Sequence, residues 1–281
     1  MFRPSRDLQA MMQAAKGAGA GLMKRFERRA LLEVELKGPA DFVSAADREA
    51  EDLLRSTLLR RFPRHGFLTE ESAPTVGADA GTRFVVDPLD GTTNFLHGVP
   101  HFAVAVALEH DGDVVAGVVL DVPKGEMFVA EKGRGAFLDG QRLRVVPDRD
   151  LSRALVGIGI PHSSSRPRHP RYLAVLADVM RDAAGIRRLG AAALDLSYVA
   201  AGRFAMFFEL GLRPWDLAAG SLLVREAGGI VTEPDGGDGF LDSGDVLATN
   251  GRLHPPALAL LRRATRRASS ASPRRRTSRR A

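Results

Sequence analysis

RFVVDPLDGTTN, residues 83–94, is the stretch from which the rest of the chain can be read. Phe84, Val85 and Val86 make a short apolar strand. Pro88 has no N–H and holds the residue before it extended, so the strand is expected to end at Asp87. Asp87 and Asp90 then stand three residues apart in a tight bend. Gly91 permits a sharp turn or close approach to a ligand, and Thr92, Thr93 and Asn94 favour a helix start. Two carboxylates beside the free amides of a helix start suit a divalent cation and a phosphate held side by side. An Asx-turn leading into a capped helix would explain a lone D-G-T equally well. Two acids around a proline, with Gly-Thr-Thr directly behind, are more specific. Phosphatases that form an aspartyl phosphate use D-x-D; here the spacing is D-x-x-D, which sets that class aside.

Other acids flank this stretch in similar settings. Residues 45–62 read as an amphipathic helix with Ala50, Leu53, Leu54, Thr57, Leu58 and Phe62 on its buried stripe. Ser44 followed by Asp47 fits a capping box, which by itself accounts for Asp47. Phe67-Leu68-Thr69 is a short strand running into Glu70-Glu71-Ser72, and adjacent acids are ordinarily a solvated surface pair. Far downstream lies PWDLAAGSLLVREAGG, residues 214–229, opened by a proline at a helix start. Asp216 there could serve only the helix dipole, worth ~0.3–1 kcal/mol. Trp215, the single tryptophan, reads as core. If Glu70, Asp87, Asp90 and Asp216 meet in one cleft, their repulsion raises their pKa values until cations relieve it. Oxygen ligands without thiols point to magnesium rather than zinc.

DPLDGTTN resembles the first signature of the inositol monophosphatase family of metal-dependent phosphatases. W-D-x-A-A-G with E-A-G-G behind it resembles the second. Upstream, KGPADFVSAADREAE and the E-E-S run resemble family segments, with Thr69 where the family has Gly. All occur in family order, and the resemblance covers residues 5–263. It implies an α/β (mixed α+β) chain with the layered α-β-α-β-α sugar-phosphatase fold. Mg²⁺ is the implied cofactor: Glu70, Asp87 and the Leu89 carbonyl hold one ion, and Asp87, Asp90 and Asp216 a second. The implied catalytic set is Asp47, Thr92 and Glu70, with Thr92 and Asp47 orienting and deprotonating the attacking water. The implied substrate contacts are Leu89, Asp90, Gly91, Thr92, Gly190, Ala192, Glu209 and Asp216, with Glu209 at an inositol hydroxyl. The family often carries Ser or Thr where this chain has Ala191, which removes one polar contact. The implied activity is hydrolysis of inositol monophosphate. Histidinol phosphate, fructose 1,6-bisphosphate and phosphoadenosine phosphate are rival substrates. Some bacterial members act in transcription, so an RNA- or polymerase-binding regulator is a rival of another class. The resemblance also implies a homodimer.

Composition narrows the alternatives. With 44% hydrophobic residues in 281, the chain has ample material for a core, and the absence of cysteine excludes disulfides and thiolate metal sites. The net charge of +6 misleads: nine arginines and no acid lie in residues 262–281, leaving −3 on residues 1–261. A nucleic-acid role therefore rests on that arginine-rich end alone. No apolar run reaches membrane-spanning length, and Gln9, Gln13 and Lys16 interrupt the N-terminus, so a cytoplasmic protein without a secretory signal is expected. The expected organisation is an α+β half over 1–150 with the metal motifs, an α/β half over 151–263 with the substrate pocket and last metal ligand, and a disordered tail over 264–281. Helices are expected at 5–28, 171–183, 191–201, 214–227 and 255–263. Asp111-Gly112 and Asp139-Gly140 mark hairpins. Residues 103–107 are continuously apolar, as in a strand buried on both faces.

Overall fold

Alternation along the strands decides the layering. The computed structural model describes residues 2–28, 34–38, 41–79, 81–148, 150–160 and 169–271. Its elements are α1 (Arg6–Glu27), β1 (Val34–Gly38), β2 (Asp41–Ser44), α2 (Ala45–Leu59), β3 (Gly66–Thr69), β4 (Thr82–Asp90), α3 (Thr92–Leu96), β5 (Ala103–His110), β6 (Asp113–Asp121), β7 (Glu126–Glu131), β8 (Gly135–Leu138) and β9 (Gln141–Arg142). There follow β10 (Leu155–Ile158), α4 (His169–Asp182), β11 (Gly185–Arg187), α5 (Ala192–Ala200), β12 (Met206–Glu209), α6 (Pro214–Glu226), β13 (Ile230–Thr232), α7 (Phe240–Ser243), β14 (Val246–Thr249) and α8 (His254–Ala271). Strands β3 to β9 form a seven-stranded sheet in sequence order, antiparallel except for the parallel β3–β4 pair. The order β11-β10-β12-β14-β13 makes a mixed five-stranded sheet.

Successive strand residues face opposite ways, and each face finds its own core. Phe84, Val86, Val104, Val106 and Val118 pack against α1 and α2 through Leu8, Met11, Leu22, Leu54 and Leu58. On the other face Val85, Ala103, Ala105, Ala107 and Val119 meet α5 and α6, which in turn pack on Phe207, Val246 and Ala248 of the second sheet. The outer face of that sheet, Val156, Ile158, Met206, Phe208 and Leu247, is covered by α4 and α8. The result is the α-β-α-β-α sandwich. α5 and α6 sit in its middle, so they are buried almost all round rather than amphipathic. Small residues let the layers close: a side chain at Gly117 would place its Cβ 3.0 Å from the Ala219 carbonyl oxygen.

The strand β5, apolar throughout residues 103–107, is buried on both sides as its composition requires. Three differences from the sequence reading stand out. β4 does not end at Asp87 but runs on through Pro88 to Asp90. The short strand β2 and helix α7 were unrecognised, the first lying inside a motif and the second being only one turn long. Finally, α8 continues past residue 263 to Ala271. Arginine is a good helix former, and Leu260, Leu261 and the fully buried Ala264 extend the packed face of α8. Residues 39–40, 161–168 and 272–281, parts of the KGPAD stretch, a polar loop and the tail, lie outside the described residues, as does the Ser44 side chain expected to cap α2.

Candidate active site

The site begins with an irregularity in β4. Asp87 pairs with Ala105 and Asp90 with Ala103, so Pro88 and Leu89 together oppose the single residue Val104. This is a β-bulge, where a proline needs no ladder N–H. In a regular strand, residues three apart point to opposite faces. The extra residue cancels that offset and turns both carboxylates to one side. The Leu89 amide donates to Asp87 Oδ1 at 3.0 Å, which fixes the first carboxylate. Gly91 follows at φ +94°, in the left-handed region that favours glycine, and starts α3.

Two helices of the middle layer meet this strand end. Asp90 accepts the Ala192 and Ala193 amides at 3.1 and 2.8 Å, so it caps α5 from another element while Ala191, the N-cap residue, offers no side chain. Asp216 accepts the Arg213 amide at 2.6 Å, satisfying the first turn of α6. Both acids thus perform the helix-terminal service that residue type alone would assign them. Yet Asp87, Asp90 and Asp216 each place a carboxylate oxygen within 4.8 Å of the others. Burial, joined by the charges of Glu70, Asp90 and Asp216, holds the Asp87 carboxyl well above its ordinary range. Burial lifts Asp90 to about 7 against the pull of the Ala193 and Ala192 amides. Burial and then the Asp90 charge lift Asp216 to about 7. Converging acids under this strain form a hard-oxygen donor set that fits a divalent cation.

Glu70, at the end of β3, stands outside that triplet, but its charge reaches both Asp87 and Asp90. Asp47, in the first turn of α2, is 1% exposed. The Thr92 hydroxyl lies 3.2 Å from Asp47 Oδ1 and 3.1 Å from the Leu89 carbonyl oxygen, able to donate to either. One hydroxyl therefore links α2, the bulge and the start of α3. Further out, Glu209 ends β12, where burial and then the Asp216 charge push its carboxyl up to about 8. The Asn94 side-chain amide donates to the carbonyls of His101 and Leu189 at 2.8 Å each and reaches that of Gly190 at 3.4 Å, tying the first signature to Gly190 and the start of α5 at Ala192.

Some groups escaped the sequence reading. Glu51, one turn after Asp47 and equally buried, accepts the Thr69 hydroxyl and the Glu71 amide, both at 3.0 Å. Its i,i+4 spacing from Asp47 puts both on one side of α2, a pattern that a solvated helix face shares. Asp195 of α5 is buried, its Oδ1 without a partner among the described residues, and the charges of Glu209 and Asp90 add to burial in raising its carboxyl. Its sequence signal is that Asp195 is the single charged residue in the otherwise apolar and small run over 191–201.

Comparison with known proteins agrees with the geometry. The model of the inositol monophosphatase family matches residues 4–266. An inositol-1-monophosphatase of Rhizobium meliloti (strain 1021) is 51% identical over 243 residues, 86% of this chain and 91% of the relative. The Nus factor SuhB of Escherichia coli (strain K12) is 42% identical over 255 residues, 91% of this chain and 95% of that one. The crystal structure of the extragenic suppressor protein suhB from Bartonella henselae superposes with a TM-score of 0.89 at 47% identity, covering 92% of this chain and 98% of the other. With acids of both signature regions meeting at one point of the layered fold, and a match over nearly the whole length, the chain belongs to the inositol monophosphatase family and is a phosphoric monoester hydrolase.

Proposed function

We propose that this phosphatase hydrolyses inositol monophosphate to inositol and phosphate with Mg²⁺ as cofactor. The observation that carries the reading is the convergence of Asp87, Asp90 and Asp216 from a bulged strand and a central helix onto one point. Glu70, Asp87, the Leu89 carbonyl, Asp90 and Asp216 would hold the metal. When bound, the metal neutralises these carboxylates, acidifies a water and stabilises the departing alkoxide. The Thr92 hydroxyl orients the attacking water, and Asp47 takes its proton. The Gly91 and Thr92 amides, at the turn into α3, receive the phosphate oxygens. Glu209 accepts a hydroxyl of the polyol, and Gly190 and Ala192 line the pocket wall. Attack in line with the leaving oxygen needs no phosphoenzyme.

The deciding experiment is a panel of inositol monophosphate, histidinol phosphate, fructose 1,6-bisphosphate and phosphoadenosine phosphate with purified protein. Phosphate release from inositol monophosphate is expected to stop with EDTA, return with Mg²⁺ and fall with Li⁺. Full activity in metal-free buffer, or turnover of a rival substrate alone, defeats the reading. A homodimer and a cytoplasmic location belong to the same proposal; among the described residues no helix is long and apolar enough to cross a membrane. A second reading, a regulator that binds RNA or the transcription machinery, draws on relatives named Nus factor SuhB and on the nine arginines of residues 262–281. Salt-dependent RNA binding that is lost with those arginines would support it.

A further inference from the structure

Glu51 occupies an unusual position relative to Glu70. It lies on the buried side of α2, 1% exposed, and spends both carboxylate oxygens on the residues flanking Glu70. Oε1 accepts the Thr69 hydroxyl and Oε2 accepts the Glu71 backbone amide, each at 3.0 Å. A two-pronged grip on residues 69 and 71 fixes the backbone on both sides of residue 70. Thr69 is itself 2% exposed at the last position of β3, and its φ is not in the left-handed region, so the strand has no need of glycine there. The hydroxyl is what a glycine would lack. Asp47, one helical turn earlier on the same side of α2, reaches Thr92 in the same manner. Residues four apart share a helix face, so one rigid face of α2 addresses the end of β3 and the start of α3 together.

Resting on the phosphatase reading above, we propose that Glu51 is a positioning residue: with Thr69 it sets the direction in which Glu70 presents its carboxylate to the metal. Partners that orient a ligand typically change metal affinity about 10–100-fold when removed. A merely structural Glu51 would change stability and leave that affinity alone.

The test is calorimetric titration of the full-length, metal-stripped protein with Mg²⁺, beside its metal-free melting curve. Glu51→Met keeps the length of the side chain and removes both acceptors, so the Thr69 hydroxyl and the Glu71 amide each lose a partner, and it is expected to weaken Mg²⁺ binding about 10–100-fold. Thr69→Val keeps the shape and deletes one hydrogen bond, for an expected loss of about 2- to 10-fold. Thr69→Ser restores the hydroxyl and is expected to bind like the wild type. If Glu51→Met does not fold, the Thr69→Val and Thr69→Ser pair decides. Equal Mg²⁺ affinity in Thr69→Val and wild type, with Glu51→Met either equal or unfolded, overturns the positioning role and leaves the phosphatase reading standing. A wild-type protein that binds no Mg²⁺ overturns both.

Discussion

Asp47 shows how one side chain can satisfy two explanations. Its place at the start of α2 fits a cap, and its contact with the Thr92 hydroxyl at 3.2 Å fits a proton acceptor. Asp47→Asn keeps the shape and the capping ability but loses the basic carboxylate. We expect kcat to fall about 10²–10⁴-fold with an unchanged melting temperature. Thr92→Val should fall similarly, and the double variant should lose much less than the product of the two, because on the proposed mechanism both act on one water. Near-wild-type kcat for Asp47→Asn at saturating Mg²⁺ would return the residue to the helix alone. The acids of the two signatures were legible because proline, glycine and tryptophan punctuate them. Glu51 was not, since a glutamate four residues after an aspartate reads as a solvated helix face until the fold shows what covers it.

The secondary-structure elements carry a different lesson. Most strands and helices were readable from periodicity and turn chemistry, including the hairpins at Asp111-Gly112 and Asp139-Gly140. The end of β4 was not, because proline argues for a break and only pairing with β5 reveals the bulge that accommodates it. Likewise the arginines after residue 263 suggested disorder, whereas α8 runs on to Ala271 beyond its packed Leu260, Leu261 and Ala264. The tight seat of α6 on β6 offers a direct check. Gly117→Val would press a side chain against the Ala219 backbone. Overpacking of this kind costs about 1–3 kcal/mol. Urea denaturation should show that loss, and an undiminished midpoint would mean that the two layers part easily.

The three-core sandwich also sets how the protein answers acid and truncation. His101 is 9% exposed beside the Tyr198 ring, its Nε2 without a hydrogen-bond partner among the described residues. Burial, then the nearby Lys124 charge, pushes its pKa down to about 4 despite Asp121. The unfolded chain takes up this proton near pH 6.5 and the folded one only near 4. Stability from this group is therefore whole above pH 6.5 and drains away as the pH falls towards 4, by roughly 3 kcal/mol at full extent. His101→Gln should flatten the urea midpoint across that window; an unchanged slope would show that the imidazole titrates normally. Removing residues 272–281, which hold five arginines and almost nothing apolar, should leave the melting temperature and kcat unchanged. Cutting after Arg263 should do harm, because it strips the buried Ala264 from the α4–α8 core. The fold class was visible in the order of the motifs, but the placing of α5 and α6 between two sheets needed three dimensions. That placing has a consequence for biosynthesis. Asp90 and Asp216 are separated by 126 residues, which a ribosome adding about 5–20 residues per second takes roughly 6–25 s to span. Throughout that interval the nascent chain already bears Glu70, Asp87 and Asp90 without their last companion. On the proposed metal set, the site can be completed only after residue 216 has been made and α6 has packed between the two sheets.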